Sequence, residues 1–228
     1  MLIADGEVAD DSKLQVRVRE PDSRSGPPAW AAPLPMRRRR RRMQIMPAVI
    51  ESLRQEHHNI ARLLGALEHQ IDVFAGEGAP DYDVVRGIAD FFMEYPDRCH
   101  HPKEDLVFSR LRERHQQEAS TVADLLGEHR LAHDEALQFQ HTISALLNDT
   151  DIARSAIVGA ARTFIGDQRR HMQGEEDRFF PLAEELLTAE DWSAIEASLM
   201  ARADPRGAEA RFNALADQLI AWEREYPA

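Results

Sequence analysis

The chain has 228 residues, 43% of them hydrophobic and 30% charged, a balance that supports one good-sized soluble core. Its net charge of −12 is divided unevenly: residues 1–46 carry 10 Lys+Arg against 6 Asp+Glu, the remainder 18 against 34. So acidic a body argues against nucleic acid as the main partner. No run approaches the roughly 18 apolar residues of a membrane span, and the single cysteine, Cys99, excludes an intramolecular disulfide and fits a reducing, cytoplasmic compartment.

Residues 1–46 read as a disordered tail, with Pro21, Pro27, Pro28, Pro33, Pro35, little apolar periodicity and six arginines from Arg37 to Arg42. The arginine run suggests a targeting signal or an anionic partner. A signal peptide is not expected, because the apolar stretch from Ile45 to Ile50 is short and Glu51 ends it. The plainer reading is a flexible extension without chemistry, with Met43 and Met46 as alternative starts.

From Pro47 the pattern turns helical. Leu53, His57, Ile60, Leu64, Leu67, Ile71 and Phe74 follow alternating steps of four and three, the stripe of a bundle helix with a histidine inside it. Gly76, Gly78 and Pro80 break it, and Asp81 caps a second helix with Val84, Ile88, Phe91 and Tyr95 inward. Pro96 and Pro102 predict a kink rather than a stop, after which His100, Glu104, Val107 and Leu111 resume the inward face. A third helix is expected from about Glu118 to Leu147, with the stripe Val122, Leu126, His129, His133, Ala136, Gln140, Ile143 and Leu147, closed by a turn over Asn148 to Asp151. A fourth runs from about Ile152 to Leu187, with Phe164, His171, Glu175, Phe179, Leu182 and Leu186 inward. Thr188 is positioned to cap a short helix containing Trp192, Ile195 and Leu199. Asp204 and Pro205 open a last amphipathic helix with Phe212, Leu215, Leu219 and Trp222. The expected class is all-α: a bundle over 47–187 with a helical extension over 188–228, which either covers the bundle or joins two chains.

The polar residues inside these stripes carry the chemistry. His57, His100 with Glu104, His129 with His133, and His171 with Glu175 lie on four helices, three of the groups as pairs four residues apart and so on one helix face. Burying a histidine or glutamate without a partner is costly, and metal coordination offsets that cost for all seven groups together. Seven nitrogen and oxygen donors exceed the need of one ion and suit two, with Glu104 and Glu175 as bridges. The donor types suit iron, zinc, manganese or copper alike. His101 with Asp105 is a competing pair. It leads on to Arg112, whereas His100 with Glu104 leads to Leu111, which favours the latter. Glu56 and Glu128, each preceding a ligand histidine, are candidates to orient imidazoles on neighbouring helices, or else are exposed carboxylates. His58, His69, His115 and His141 read as surface residues, and Cys99 and Tyr95 as core.

Other metal motifs fit less well. Ferritin-like sites use Glu-x-x-His, spaced three apart and rich in carboxylate. A zincin needs His-Glu-x-x-His, whereas here Glu128 precedes the first histidine of Glu128-His129-Arg130-Leu131-Ala132-His133.

These segments together resemble the hemerythrin-like, or HHE cation-binding, family. They are Glu56-His57-His58, Asp97 through Asp105, Glu128-His129 through His133, and His171 through Glu176. The resemblance implies an up-down-up-down four-helix bundle with a non-haem di-iron centre, bridged by two carboxylates and an oxo or hydroxo group. It implies His57, His100, Glu104, His129, His133, His171 and Glu175 as ligands. Oxygen-carrying hemerythrins place an aspartate five residues after the last histidine. Here Glu175 follows His171 by four, as in the stress-response branches, which speaks against simple oxygen transport. The expected function is binding or sensing of O2 or a related small oxidant, such as peroxide or NO. One rival is an enzyme that decomposes peroxide or NO, or delivers iron for iron–sulfur repair. Another is an iron-storage or metal-responsive signalling module, and a zinc-only structural site is a third.

Overall fold

The computed structural model describes residues 47–225, apart from 77, 123, 149–151 and 202–207. The tail expected over 1–46, most of the expected 148–151 turn and the Asp204–Pro205 opening lie outside the described residues. Within them the elements are helical: α1 (Ala48–Ala75), α2 (Tyr82–Tyr95), a π-helical turn (Pro96–His100), α3 (His101–Arg114), α4 (Gln116–Ala119), α5 (Leu125–Leu147), α6 (Arg154–Gly174), a second π turn (Glu175–Phe179), α7 (Phe180–Leu186), α8 (Ala189–Met200) and α9 (Ala208–Glu225). Among the described residues no helix is long and apolar enough to cross a membrane.

The punctuation follows local chemistry. α1 ends at Gly76, and Gly78 folds back so closely that an added Cβ would meet the Val73 side chain at 2.8 Å. Asp81 accepts from the amides of Asp83 and Val84 at 3.0 and 3.2 Å, the cap its position predicts. Thr188 and Asp191 form a reciprocal capping box at the start of α8. Asp191 also holds the guanidinium groups of Arg110 and Arg114, at 2.8 and 2.9 Å, fastening α8 to α3.

The helix runs on through the first proline cluster without a stop. Pro102 has no amide to give the carbonyl of Arg98, and the turn before it widens so that His101 N–H reaches the carbonyl of Pro96. The same device recurs where it was not expected. Pro181 follows a second π turn in which Phe180 N–H reaches the carbonyl of Glu175. Both widened turns fall where the candidate ligands lie.

α1 packs against α2 and α6, and α5 against α2 and α6, so four rods enclose one interior. That interior has two apolar parts. One contains Leu64, Ile88, Phe139, Phe164 and Met172; the other contains Ile50, Leu53, Val107, Leu111, Leu125, Phe180 and Ile195. Between them in sequence, on every rod, come the polar residues: His57 after Leu53 and before Ile60, Glu104 before Val107, His129 after Leu125, Glu175 before Phe179. α9 lies against α1 and α2, with Phe212 stacked on Tyr95 at 4.4 Å and Phe91 at 4.8 Å, so the C-terminal helices cover the bundle.

The stripe of α5 differs from expectation. It begins at Leu125 rather than near Glu118, and its buried positions are Leu125, His129, Ala132, Ala136, Phe139 and Ile143. The expected register through His133, Gln140 and Leu147 shares only His129, Ala136 and Ile143 with it. The observed register buries Ala132 and Phe139 where the expected one would bury an imidazole and an amide, and the apolar choice wins. Phe139→Ala should therefore cost about 3–5 kcal/mol of unfolding free energy. Gln140→Ala should stay within about 0.5 kcal/mol of the parent. Denaturant titration of the two variants checks this ordering, and equal losses would contradict the register.

Candidate metal centre

Two groups of side chains bring potential ligand atoms within 4.8 Å of one another: His57, His100, Glu104 and Glu175, and His101, Glu104, His129 and His171. Glu104 belongs to both. Its Oε1 lies 3.3 Å from His100 Nε2 and 3.6 Å from His57 Nε2, and its Oε2 lies 3.3 Å from His129 Nε2. Glu175 divides the same way, with Oε2 at 3.3 Å from His57 Nε2, and Oε1 at 3.4 and 3.5 Å from the Nε2 atoms of His171 and His129. Each carboxylate thus turns one oxygen to either group.

Six of the seven expected ligands lie in these groups. His133 does not, and His101 is there instead. α5 turns His133 outward, where its side chain is 45% exposed and its Nδ1 meets Asp97 Oδ2 at 2.5 Å. Both His100 and His101 are buried, at 3% and 7% exposure, and each belongs to one of the two groups. They are chain neighbours flanking the first π junction, and the wider turn narrows the angle between successive side chains enough for both to face inward. Asp105, half-exposed, is the member of that competing pair which stays outside. Two signals for His101 and against His133 were available in the sequence: Pro102 directly after the His-His pair, and the alternative stripe of α5, apolar except for His129.

On the inner faces His57 Nε2 meets His100 Nε2 at 3.1 Å, and six other atoms make no hydrogen bond. Both oxygens of Glu104, both of Glu175, Nε2 of His129 and Nε2 of His171 are buried without a hydrogen bond. A buried acceptor left unsatisfied costs about 1–3 kcal/mol, more when charged. Six such atoms converging on one layer between apolar walls are what a cationic group would satisfy. The donor set of imidazole and carboxylate suits divalent transition ions. On an observation of this structure alone, then, the residues fit metal.

The outer faces, by contrast, are saturated. Every histidine of the two groups directs Nδ1 to a carboxylate: His57 to Glu176 at 2.9 Å, His100 to Glu56 at 2.9 Å, His129 to Asp105 at 2.9 Å, His171 to Glu128 at 3.3 Å and His101 to Asp97 at 3.2 Å. A carboxylate only accepts, so each Nδ1 carries a proton and each Nε2 faces inward. Four of these bonds form a closed cycle. α1 gives Glu56 to His100, α3 gives Asp105 to His129, α5 gives Glu128 to His171, and the turn after α6 gives Glu176 to His57 on α1. The acids are themselves held: Lys103 and Ser52 reach Glu56 Oε1 at 2.6 and 2.8 Å, and Arg54 reaches Glu176 at 3.2 Å. Of the two readings open for Glu56 and Glu128, both bond imidazoles on neighbouring rods, and Glu128 is also partly exposed. Glu176, Asp105 and Asp97 were missed, though each lies beside a ligand in the chain or one helical turn from it.

Charge in the metal-free layer follows. Burial on its own would lower the His57 imidazole, but the close carboxylates of Glu104, Glu175 and Glu176 outweigh it and raise its pKa to about 11. His129 is likewise pushed down by burial and raised to about 11 by Asp105, Glu104 and Glu175, and His100 is raised to about 9 against burial by Glu104 and Glu56. His101 goes the other way. Burial lowers it, Asp97 resists, and the charged His129 stacked on it at 4.0 Å lowers it further. Burial would raise Glu104 and Glu175, yet the surrounding imidazoles hold both below the ordinary 4.5. Protons thus stand where cations would be held.

Residues 48–183 match the family of the hemerythrin HHE cation-binding domain. No curated protein and no solved structure matches the chain.

The raised imidazoles stabilise the metal-free fold fully below their ordinary value of 6.5, and that stability is lost as pH rises toward about 9 and 11. The lowered carboxylates stabilise it above 4.5 and lose that contribution as pH falls. Thermal melts of metal-free protein should therefore peak between about pH 4.5 and 6.5 and decline steadily from about pH 7 to 10. A midpoint rising over the upper interval would contradict this charge assignment.

Proposed function

The chain belongs to the hemerythrin HHE cation-binding family, and from that premise we propose that it holds two iron ions and binds or senses O2 or a related small oxidant. The observation that carries this reading is the set of six orphaned buried donor atoms, four of them the oxygens of two carboxylates that each face both histidine groups. Three histidines (His101, His129, His171) would serve one ion and two (His57, His100) the other, with Glu104 and Glu175 shared. Ferrous ions held there would supply the electrons that a bound oxidant takes up.

The protein's own residues fix the conditions for that chemistry. The Nδ1 bonds, four in the cycle and the fifth from His101 to Asp97, hold each imidazole in the tautomer a metal needs and raise its basicity. The apolar parts above and below the layer keep bulk water from it, and Phe180, stacked 5.3 Å from His57, walls the side with fewer histidines. That side offers two imidazoles and two carboxylate oxygens, fewer than the other, so it is where a small ligand would find room. An up-down-up-down course of the four rods is supported by the order in which each meets the two apolar parts: the Ile50–Leu53 part comes first on α1 and α5, and last on α3 and α7. The absence of a strongly carboxylate-rich shell favours reversible binding over the oxidising chemistry of ferritin-like sites.

The test is to load the protein with ferrous iron without oxygen, count iron per chain, then admit oxygen and follow the visible spectrum. Two irons per chain and a band that reverses on removing oxygen support the reading. Zinc retained in preference to iron, or prompt bleaching with iron release, would turn it toward the structural or iron-delivery alternatives. Within the same assay, His101→Ala should lower bound iron as much as His100→Ala does. His133→Ala should still take up two irons at saturation. The reverse pattern would restore His133 to the ligand set.

A further inference from the structure

Asp97 differs from the other acids around the centre. Glu56, Glu176, Asp105 and Glu128 each cross from one rod to a histidine on another. Asp97 instead meets His101 within its own stretch of helix, four residues on, at 3.2 Å. It lies in the first π turn, where backbone bonding is least regular, and its side chain is 37% exposed. By itself such a carboxylate has nothing to tie it to a second rod, and solvent competes for it. The structure supplies the tie: Asp97 Oδ2 receives the Nδ1–H of His133 from α5 at 2.5 Å. Asp97 is thus the acid that serves two imidazoles, one buried among the candidate ligands and one at the surface.

We propose that His133 is a positioning residue for the metal-binding histidine His101, acting through the shared carboxylate of Asp97. The proposal rests on the metal-centre reading above. The reasoning is geometric. His101 has one orienting bond, to Asp97; its ring is stacked on His129 at 4.0 Å and meets those of His100 and His171 at 5.8 and 5.9 Å, contacts that leave the direction of its nitrogens to Asp97. The ring must hold its remaining nitrogen toward Glu104, His129 and His171. Clamping Asp97 between α5 and the π turn fixes the acceptor, and the fixed acceptor fixes the ring. His133 therefore does for His101 what the cross-rod acids do for the other four histidines, from one bond further out. It also accounts for an exposed histidine one helical turn from His129 that is no ligand itself.

Four variants of the full chain test this: His133→Ala, His133→Asn, Asp97→Asn and the double variant Asp97→Asn with His133→Ala. Asparagine at 133 keeps a donor at the place of Nδ1. Two readouts apply. In metal-free protein, nitrogen-edited NMR follows solvent exchange of the His101 Nδ1 proton. In loaded protein, ferrous titration gives affinity and stoichiometry. His133→Ala should speed that exchange about tenfold and weaken iron about tenfold, at the lower end of what loss of an outer-shell partner does. It should leave two irons at saturation. His133→Asn should restore most of both. The double variant should be no worse than Asp97→Asn alone, because the two residues act in one chain of bonds. Unchanged exchange and affinity in His133→Ala, or losses that simply add in the double variant, would overturn the proposal. If the parent protein takes up no iron, the metal-centre reading falls, while the exchange readout still decides whether His133 positions His101.

Discussion

The structure turns on two carboxylates, Glu104 and Glu175, buried at 0% and 1% exposure between two apolar regions with no hydrogen bond to their oxygens. Moving an ionised carboxylate out of water costs several kcal/mol even after relaxation, unless opposite charge meets it. The fold answers with imidazoles, five of them, carried to the same level by four rods. Much of the remaining architecture serves that level. The apolar stripes above and below set the register of each rod, and the two π turns, each followed by a proline, adjust the helices where the carboxylates and the His-His pair must turn inward.

The outer acids explain how the level stays ordered. Each rod carries an acid adjacent in sequence to one of its inward-facing groups, and that acid bonds a histidine on the next rod. Glu56 beside His57, Asp105 beside Glu104, Glu128 beside His129 and Glu176 beside Glu175 follow one rule. A helix places neighbouring residues about 100° apart, so a residue next to an inward ligand faces the flanking rod. The cycle thus follows from helical geometry applied four times. It locks the Nδ1 of His57, His100, His129 and His171 as donors and leaves their Nε2 atoms facing inward, where a proton or a metal ion competes for the same lone pair. Acidic conditions favour the protonated, metal-free layer and neutral to alkaline conditions the metal-bound one.

Most of this was legible in the sequence, and the parts that were not have physical reasons. The 4-3 stripe of α1 locates His57 unambiguously because apolar residues flank it on both sides. His171 and Glu175 are equally plain, being four apart in a helix whose core face is apolar. α5 is harder: its residues support two stripes that share His129, Ala136 and Ile143 and differ by one position at the residues between. Choosing between them requires weighing Ala132 and Phe139 against His133 and Gln140 one by one. The His100–His101 ambiguity has another source. Periodicity assumes 3.6 residues per turn, and a π turn suspends that assumption just where Pro102 follows two histidines. The second π turn, before Pro181, escaped notice because no histidine pair drew attention to it. Glu176, Asp105 and Asp97 look like surface acids until partner rods are known, since their bonds join residues 119, 24 and 4 positions apart.

The central claim is that protons and metal ions compete for one inward-facing layer of seven side chains. Calorimetric titration of metal-free protein with ferrous iron under argon, repeated at one pH near neutrality in buffers of different ionisation enthalpy, counts ions and displaced protons together. The account predicts two ions per chain and net proton release on binding. A stoichiometry of one or none, or uptake without proton release, would contradict it.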